Sequence, residues 1–165
     1  VKSFENLNDP EAITVLRGLK PDVLLVYGTG RLSKAVLDQC PVGSANFHNG
    51  DPEVYRGLDC HLWPLFHGDF NALRMTMHRV EPELDTGGII DRRPVPLQRG
   101  MPLSHLRRSA TELTIDIAIN ALSNFKNNGC FTSTPQSQKG RYYSYMPAQL
   151  KDICTRKFER YTSAL

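Results

Sequence analysis

Hydrophobic and polar positions along this chain follow two periods, and each change of period marks the change from a strand to a helix or back. Asn8-Asp9-Pro10-Glu11 reads as a helix start, with a capping side chain, Pro in the first turn and an acid near the positive dipole end; Gly18 and Pro21 close that helix. Asp22 to Gly28 (DVLLVYG) is an unbroken apolar run bounded by Pro21, Gly28 and Gly30, which predicts a strand buried on both faces. Ser33 to Gln39 fits a short helix, Ser44 to His48 (SANFH) a second strand and Ala72 to Val80 (ALRMTMHRV) a third. Gly88 to Leu97 fits an edge strand, because Pro94 and Pro96 cannot donate to a ladder. Leu106, Ala110, Leu113, Ile117 and Ala121 recur at three and four within Leu103 to Phe125, the longest helix, with Gly129 just past its end. Leu150, Cys154, Phe158 and Tyr161 repeat the pattern in a final helix from Pro147 to Tyr161, whose Lys151, Arg156, Lys157 and Arg160 read as a solvated face.

Helices alternating with strands predict an α/β fold, a mostly parallel twisted sheet with flanking helices, and a site at the carboxyl ends of its strands. The chain divides into residues 1–129, carrying those elements, and 130–165, a loop around Thr132 to Gly140 and the final helix.

The 165 residues suit one domain with its own core. With 40% hydrophobic and 22% charged residues, disordered and collagen-like classes are excluded. No apolar run approaches the roughly 18 residues of a spanning helix, so no membrane is expected. A net charge of +3 does not call for nucleic acid and is compatible with an anionic small molecule. The chain opens on Val1 with no leader pattern, so it is expected to start inside a longer one and to be cytoplasmic. Cys40, Cys60, Cys130 and Cys154 form no Cys-x-x-Cys pair, which argues for reduced thiols rather than a zinc knuckle or disulfides.

Three strand ends carry residues with chemistry. Gly28-Thr29-Gly30-Arg31-Leu32-Ser33 follows the first strand; a Gly-x-Gly turn can bring backbone N–H groups close to a ligand, but Ser33 stands where a dinucleotide fingerprint has Gly or Ala. Asn46-Phe47-His48 ends the second strand, and alternation puts Asn46 and His48 on one face, an amide and an imidazole that can both stabilise an oxyanion. Asp85, in the loop Val80 to Gly88, either caps its own backbone in an Asx-turn or reaches His48 if the two strands are neighbours. His78 alternates onto the face of Thr76 and Val80, opposite Met75 and Met77, and can face the same place. Cys60, His61 and His67 surround Trp63-Pro64-Leu65-Phe66, which reads as a packed helix rather than a metal site, and His105 as a surface residue.

Asn46-Phe47-His48, Tyr55-Arg56-Gly57, Thr76-Met77-His78-Arg79-Val80, Leu84-Asp85-Thr86-Gly87 and Ile89-Ile90, in this order, resemble the 10-formyltetrahydrofolate-dependent formyltransferases from about Pro21 to Phe125. That family includes glycinamide ribonucleotide, methionyl-tRNA and sugar-nucleotide formyltransferases and the related formyltetrahydrofolate hydrolase. The resemblance implies a formyltransferase-like, Rossmann-type fold whose first strands this chain lacks. It implies Asn46, His48 and Asp85 as catalytic residues, with 10-formyltetrahydrofolate as donor between Gly28, Thr29, Gly30, Arg31, Leu32 and Pro82, Glu83, Leu84. Tyr55, Arg56, Gly57 and His78 are expected at the acceptor, protonated His48 and Asn46 at the oxyanion, and no metal.

Many members carry Ser-Leu-Leu-Pro after the catalytic His, where this chain has Asn49-Gly50-Asp51-Pro52-Glu53-Val54, so the acceptor is the open question. The variant looks most like members that act on modified sugars or cell-surface polymers. The expected activity is N-formyl transfer to a primary amine of a small acceptor such as a nucleotide-linked amino sugar. Formyltetrahydrofolate hydrolysis and a non-catalytic ligand-binding module are the alternatives, and a homodimer is compatible with either. A methionyl-tRNA acceptor is disfavoured by the short tail after Gly129.

Overall fold

The computed structural model describes residues 1–165. Its elements run α1 (Pro10–Leu19), β1 (Leu24–Tyr27), α2 (Lys34–Leu37), β2 (Ser44–His48), β3 (Tyr55–Gly57), α3 (Trp63–His67), a 3₁₀ turn (Phe70–Ala72), β4 (Arg74–Arg79), β5 (Ile89–Pro94), α4 (Leu103–Asn128), β6 (Arg141–Tyr143) and α5 (Ala148–Ser163). The main sheet has the order β1-β2-β4-β5, and β3 and β6 form a separate pair. The fold is the expected α/β sheet with flanking helices, but the sheet is mixed: β1 and β2 run parallel, while β4 is antiparallel to both β2 and β5. The connections explain this. From β1 the chain crosses through α2 to a parallel partner, whereas the short loop from β4 to β5 can only join antiparallel strands.

Alternation decides the layers. Ala45 and Phe47 of β2 and Met75 and Met77 of β4 turn one face into the core, against Leu106, Ala110, Leu113, Ile117 and Ala121 of α4. These are the α4 positions expected from the three-and-four spacing. The opposite face of the same strands presents Asn46, His48, Thr76 and His78, paired across the ladder as Asn46 with His78 and His48 with Thr76. The site therefore lies on the face that α4 does not cover.

The strand expected to be buried on both faces is not: on β1 only Val26 is buried, and Leu25 and Tyr27 are exposed, because β1 is the sheet's edge. Beside it, Phe4, Leu7, Leu19 and Leu25 line an apolar groove of about 880 Å³ that holds no acid, His or Cys. In α5 the buried position is Thr162 rather than Tyr161; the Thr162 hydroxyl donates to the Met101 carbonyl at 2.9 Å, and Tyr161 stacks on Phe70. Neither Asn8 nor Asp9 caps α1 with its side chain. Asn8 instead holds the β1–α2 turn, accepting from Ser33 N at 2.6 Å and donating to Arg31 O at 2.9 Å. All four cysteines are free thiols. No helix is long and apolar enough to cross a membrane.

Candidate active site

His48 ends β2 with its ring buried. Its Nε2–H donates to the Tyr55 carbonyl at 2.8 Å, which leaves Nδ1 as the uncommitted ring nitrogen. Gly50 makes room for this arrangement, since a Cβ there would sit 3.0 Å from His48 Nε2 and 2.8 Å from the Cys60 Cβ. Tyr55 itself is held by β3, which pairs with β6 from the far end of the chain.

Asp85 reaches this imidazole from the loop between β4 and β5. Its φ of 55° is in the left-handed region, which a short polar side chain tolerates better than most. Oδ2 accepts the Gly57 N–H at 2.9 Å, so the carboxylate caps β3 rather than its own turn. Oδ1 lies 3.6 Å from His48 Nδ1 and 3.4 Å from His78 Nε2. Gln136 fixes the loop from behind, donating to the Asp85 and Gly87 carbonyls at 2.9 Å each. His78 is 2% exposed; its Nδ1–H donates to the Arg79 carbonyl at 2.7 Å, and its Nε2 lies 3.2 Å from Asn46 Nδ2. Asn46, His48, His78 and Asp85 thus form one cluster, brought together by the β2–β4 register and one loop.

Burial of Asp85 favours its neutral form, but hydrogen bonding to His78, the charge that His48 carries in acid and the Gly57 N–H outweigh it and hold the carboxyl down at about 2. For His48 the balance falls the other way: burial lowers its pKa and outweighs the opposing pull of Asp85 and of the Tyr55 carbonyl. The expected imidazolium is therefore a neutral imidazole at neutral pH before reactants bind. A lone pair on Nδ1 facing a carboxylate oxygen also accounts for their standing 3.6 Å apart, beyond a hydrogen bond.

The cluster forms the floor of a cavity of about 400 Å³. Gly28, Thr29, Gly30, Leu32 and Leu84, the residues expected at the donor, line it. Arg31, Pro82 and Glu83 do not: Arg31 Nε donates to Pro82 O at 2.7 Å and so ties the two sides of that wall together, and Glu83 pairs with Lys139. Of the residues expected at the acceptor, Gly57 and His78 line the cavity, while Tyr55 and Arg56 lie behind it. Tyr55 is buried and its hydroxyl donates to Asp69. Arg56 is a buried brace that donates from Nε to Gly140 O at 2.8 Å and from Nη1 to Leu84 O at 3.0 Å. In the segment after His48 only Asn49 lines the cavity. Asp51 and Glu53 are consumed by Arg92, at 2.8 and 2.6 Å, which explains their presence without an acceptor.

Sequence reasoning missed Tyr27, Asp59, His61, Arg107 and Tyr145 on the cavity wall. Tyr27 had a usable signal, the last position of a strand ending at the site. Arg107 and Tyr145 had none, because packing of α4 and of the chain's tail brings them there.

A family profile described as formyl transferase matches residues 2–122. Curated relatives include the methionyl-tRNA formyltransferases of Akkermansia muciniphila, 29% identical over 88% of this chain and 46% of theirs, and of Ruminiclostridium cellulolyticum, 27% identical over 89% and 46%. The chain spans about half the length of these relatives. In structure it is similar to HypX from Aquifex aeolicus in complex with tetrahydrofolic acid, with a TM-score of 0.68, 23% identity, and coverage of 94% of this chain and 28% of that one. It is also similar to the formyltransferase PseJ from Anoxybacillus kamchatkensis in complex with UDP-4,6-dideoxy-4-formamido-L-AltNAc and tetrahydrofolate, with a TM-score of 0.61, 22% identity, and coverage of 74% and 64%. With the profile covering most of its length, the chain belongs to the formyl transferase family.

Proposed function

We propose that the chain carries the active site of an N-formyltransferase that moves a formyl group from 10-formyltetrahydrofolate to a primary amine of a small acceptor. The observation that carries this reading is the convergence of Asn46, His48 and Asp85 on one cavity whose other wall is the backbone of Gly28 to Gly30 with Leu32 and Leu84. That wall offers apolar contact beside open backbone groups, the surface a flat, hydrogen-bonding pterin requires, and HypX and PseJ are described with tetrahydrofolate bound.

The geometry supports the following chemistry. The amine nitrogen attacks the formyl carbon, a C–N bond forms and the carbonyl π electrons move to oxygen. An Asn46 N–H stabilises that oxyanion. The amine proton passes to His48 Nδ1, and the new imidazolium is held by Asp85 Oδ1, which needs only a small closure from 3.6 Å. Collapse of the tetrahedral centre breaks the bond to N10 of the folate, which takes the proton from His48. The products are the formamide and tetrahydrofolate. His78 is a positioning residue: with Nδ1 committed to Arg79 O, its Nε2 fixes the Asn46 amide and flanks the Asp85 carboxylate.

The preferred acceptor is a nucleotide-linked amino sugar, in line with the UDP-sugar described with PseJ. A methionyl-tRNA acceptor is the second reading, favoured by the names of the curated relatives. Release of tetrahydrofolate from 10-formyltetrahydrofolate, followed with an amino-sugar nucleotide, with charged methionyl-tRNA and with no amine, separates these from hydrolysis. Amine-dependent release that Asn46→Ala, His48→Gln and Asp85→Asn each abolish is the expected result. Release without any amine would replace transfer by hydrolysis, and no release at all would leave a binding module.

A further inference from the structure

Beyond the reacting cluster, Leu58 to His61, Arg107 and Tyr145 form a further part of the cavity wall. Arg107 is the one Lys or Arg among all the cavity's lining residues. It is exposed, projects from the first turns of α4, and its guanidinium has neither an acid partner nor a hydrogen bond, whereas the adjacent Arg108 pairs with Glu112 at 2.9 Å. Asp59, the acid within this wall, is engaged, with Oδ2 accepting the Met146 N–H at 2.9 Å. His61 adds no charge of its own at neutral pH, since burial, with Arg107 and Lys151 nearby, takes its pKa down to about 4 against the pull of Asp59.

His61 and Arg107 also line a second cavity of about 400 Å³, which continues between the start of α4 and α5 past Leu62, Ser104, Thr155 and Glu159. The two spaces meet at these two side chains. A molecule whose amine sits over His48 and Asp85 has its remaining length directed along this trench. The first fixed positive charge it meets is a planar fork of donors suited to an oxyanion.

We propose that Arg107 is a specificity-determining residue that binds an oxyanion group, phosphate or carboxylate, carried by the acceptor away from its reacting amine, with His61 and Tyr145 forming the passage to it. This rests on the formyl-transfer reading of the cavity and adds to it the chemical class of the acceptor: an amine bearing a distal anion. Tyr145, 71% exposed at the rim, carries a phenolic hydroxyl that can donate to that anion.

The test uses the full chain and simple probes. Inorganic pyrophosphate and succinate are titrated calorimetrically into the wild type, Arg107→Ala, Arg107→Lys and, as a neighbouring control, Arg108→Ala, with and without saturating tetrahydrofolate. Arg107→Ala is expected to weaken one of the two probes by about tenfold or more, as removal of a charge-assisted hydrogen-bond donor does. Arg107→Lys keeps part of that affinity, Arg108→Ala changes nothing, and tetrahydrofolate binds all four proteins alike. The probe affected tells phosphate from carboxylate. The proposal is overturned if neither probe binds the wild type, if Arg107→Ala binds both as the wild type does, or if Arg108→Ala loses as much. It is also overturned if tetrahydrofolate binding is what Arg107→Ala weakens, since the guanidinium would then hold the donor's own carboxylates. Failure of tetrahydrofolate to bind the wild type would instead remove the formyl-transfer reading, while the pyrophosphate and succinate titrations would still decide whether Arg107 binds an anion.

Discussion

His48 donates its Nε2–H to the carbonyl of Tyr55 at 2.8 Å, joining the end of β2 to the start of β3. This bond selects the tautomer. It leaves the Nδ1 lone pair toward Asp85 and makes a neutral His48 a base rather than an acid in the resting protein. Turnover at saturating acceptor is therefore expected to be level around pH 7 and to fall on an acid limb below pH 6.5, since burial lowers the His48 pKa from that value. The limb reports His48 and Asp85 as a unit. A kcat that rises as pH falls below 6.5 would contradict this assignment. His48→Gln, which can still donate to Tyr55 O, should lower kcat by about 10²-fold or more.

Asp85→Asn separates charge from shape. Asn tolerates a φ of 55° and its oxygen can still accept from Gly57 N, so the fold is expected to survive, with a melting temperature lowered only by the loss of the carboxylate's charge. What disappears is the charge that stabilises the imidazolium, and kcat should drop by about 10²-fold or more with little change in donor affinity. Equal loss of melting temperature and activity would assign Asp85 a purely structural part.

Arg56→Met tests the brace. Removing a buried guanidinium deprives the Gly140 and Leu84 carbonyls of donors at 2.8 and 3.0 Å. Stability in urea is expected to fall by about 3 kcal/mol, the range for breaking a buried charged contact. A variant as stable as the wild type but with a raised acceptor KM would instead return Arg56 to the acceptor.

Acid should destabilise the fold in two separate ranges. His61, with its pKa taken down to about 4, and His48, also lowered, are neutral in the folded chain where the unfolded chain already binds protons. Below pH 6.5 the unfolded state takes up more protons, so stability falls with falling pH down to about 4. Asp85 works in the same sense over a lower range: its lowered pKa contributes stability above about 3.8, which is lost as pH drops toward 2. Urea midpoints measured from pH 8 to pH 4 should decline, and His61→Gln should flatten part of that decline. An unchanged slope in His61→Gln would contradict it.

The cavity-lining face was legible because two strand alternations had to agree. Asn46 and His48 share a face of β2, Thr76 and His78 share a face of β4, and Ala45, Phe47, Met75 and Met77 leave no other face for the core. The α4 stripe was legible for the same reason. The parts that period alone could not show are those set by long-range pairing. Arg56 sits in the motif that suggested an acceptor contact, yet its partner is Gly140, 84 positions away, and no local pattern announces that bond. Likewise, β4 and β5 carry strand patterns but not their direction, so the mixed character of the sheet came from connection length rather than from composition.

The parallel pairing of β3 with β6 sets an order of events during synthesis. The Tyr55 carbonyl that orients His48 belongs to a strand whose partner, Arg141–Tyr143, leaves the ribosome long after the rest of the sheet. Closing that large loop is entropically late as well as temporally late. A nascent chain that has folded β1, β2, β4 and β5 already holds Asn46, His48 and His78 side by side, but the backbone that aims them is completed only when the tail arrives. The backbone around His48 is thereby completed only once Arg141–Tyr143 has been made.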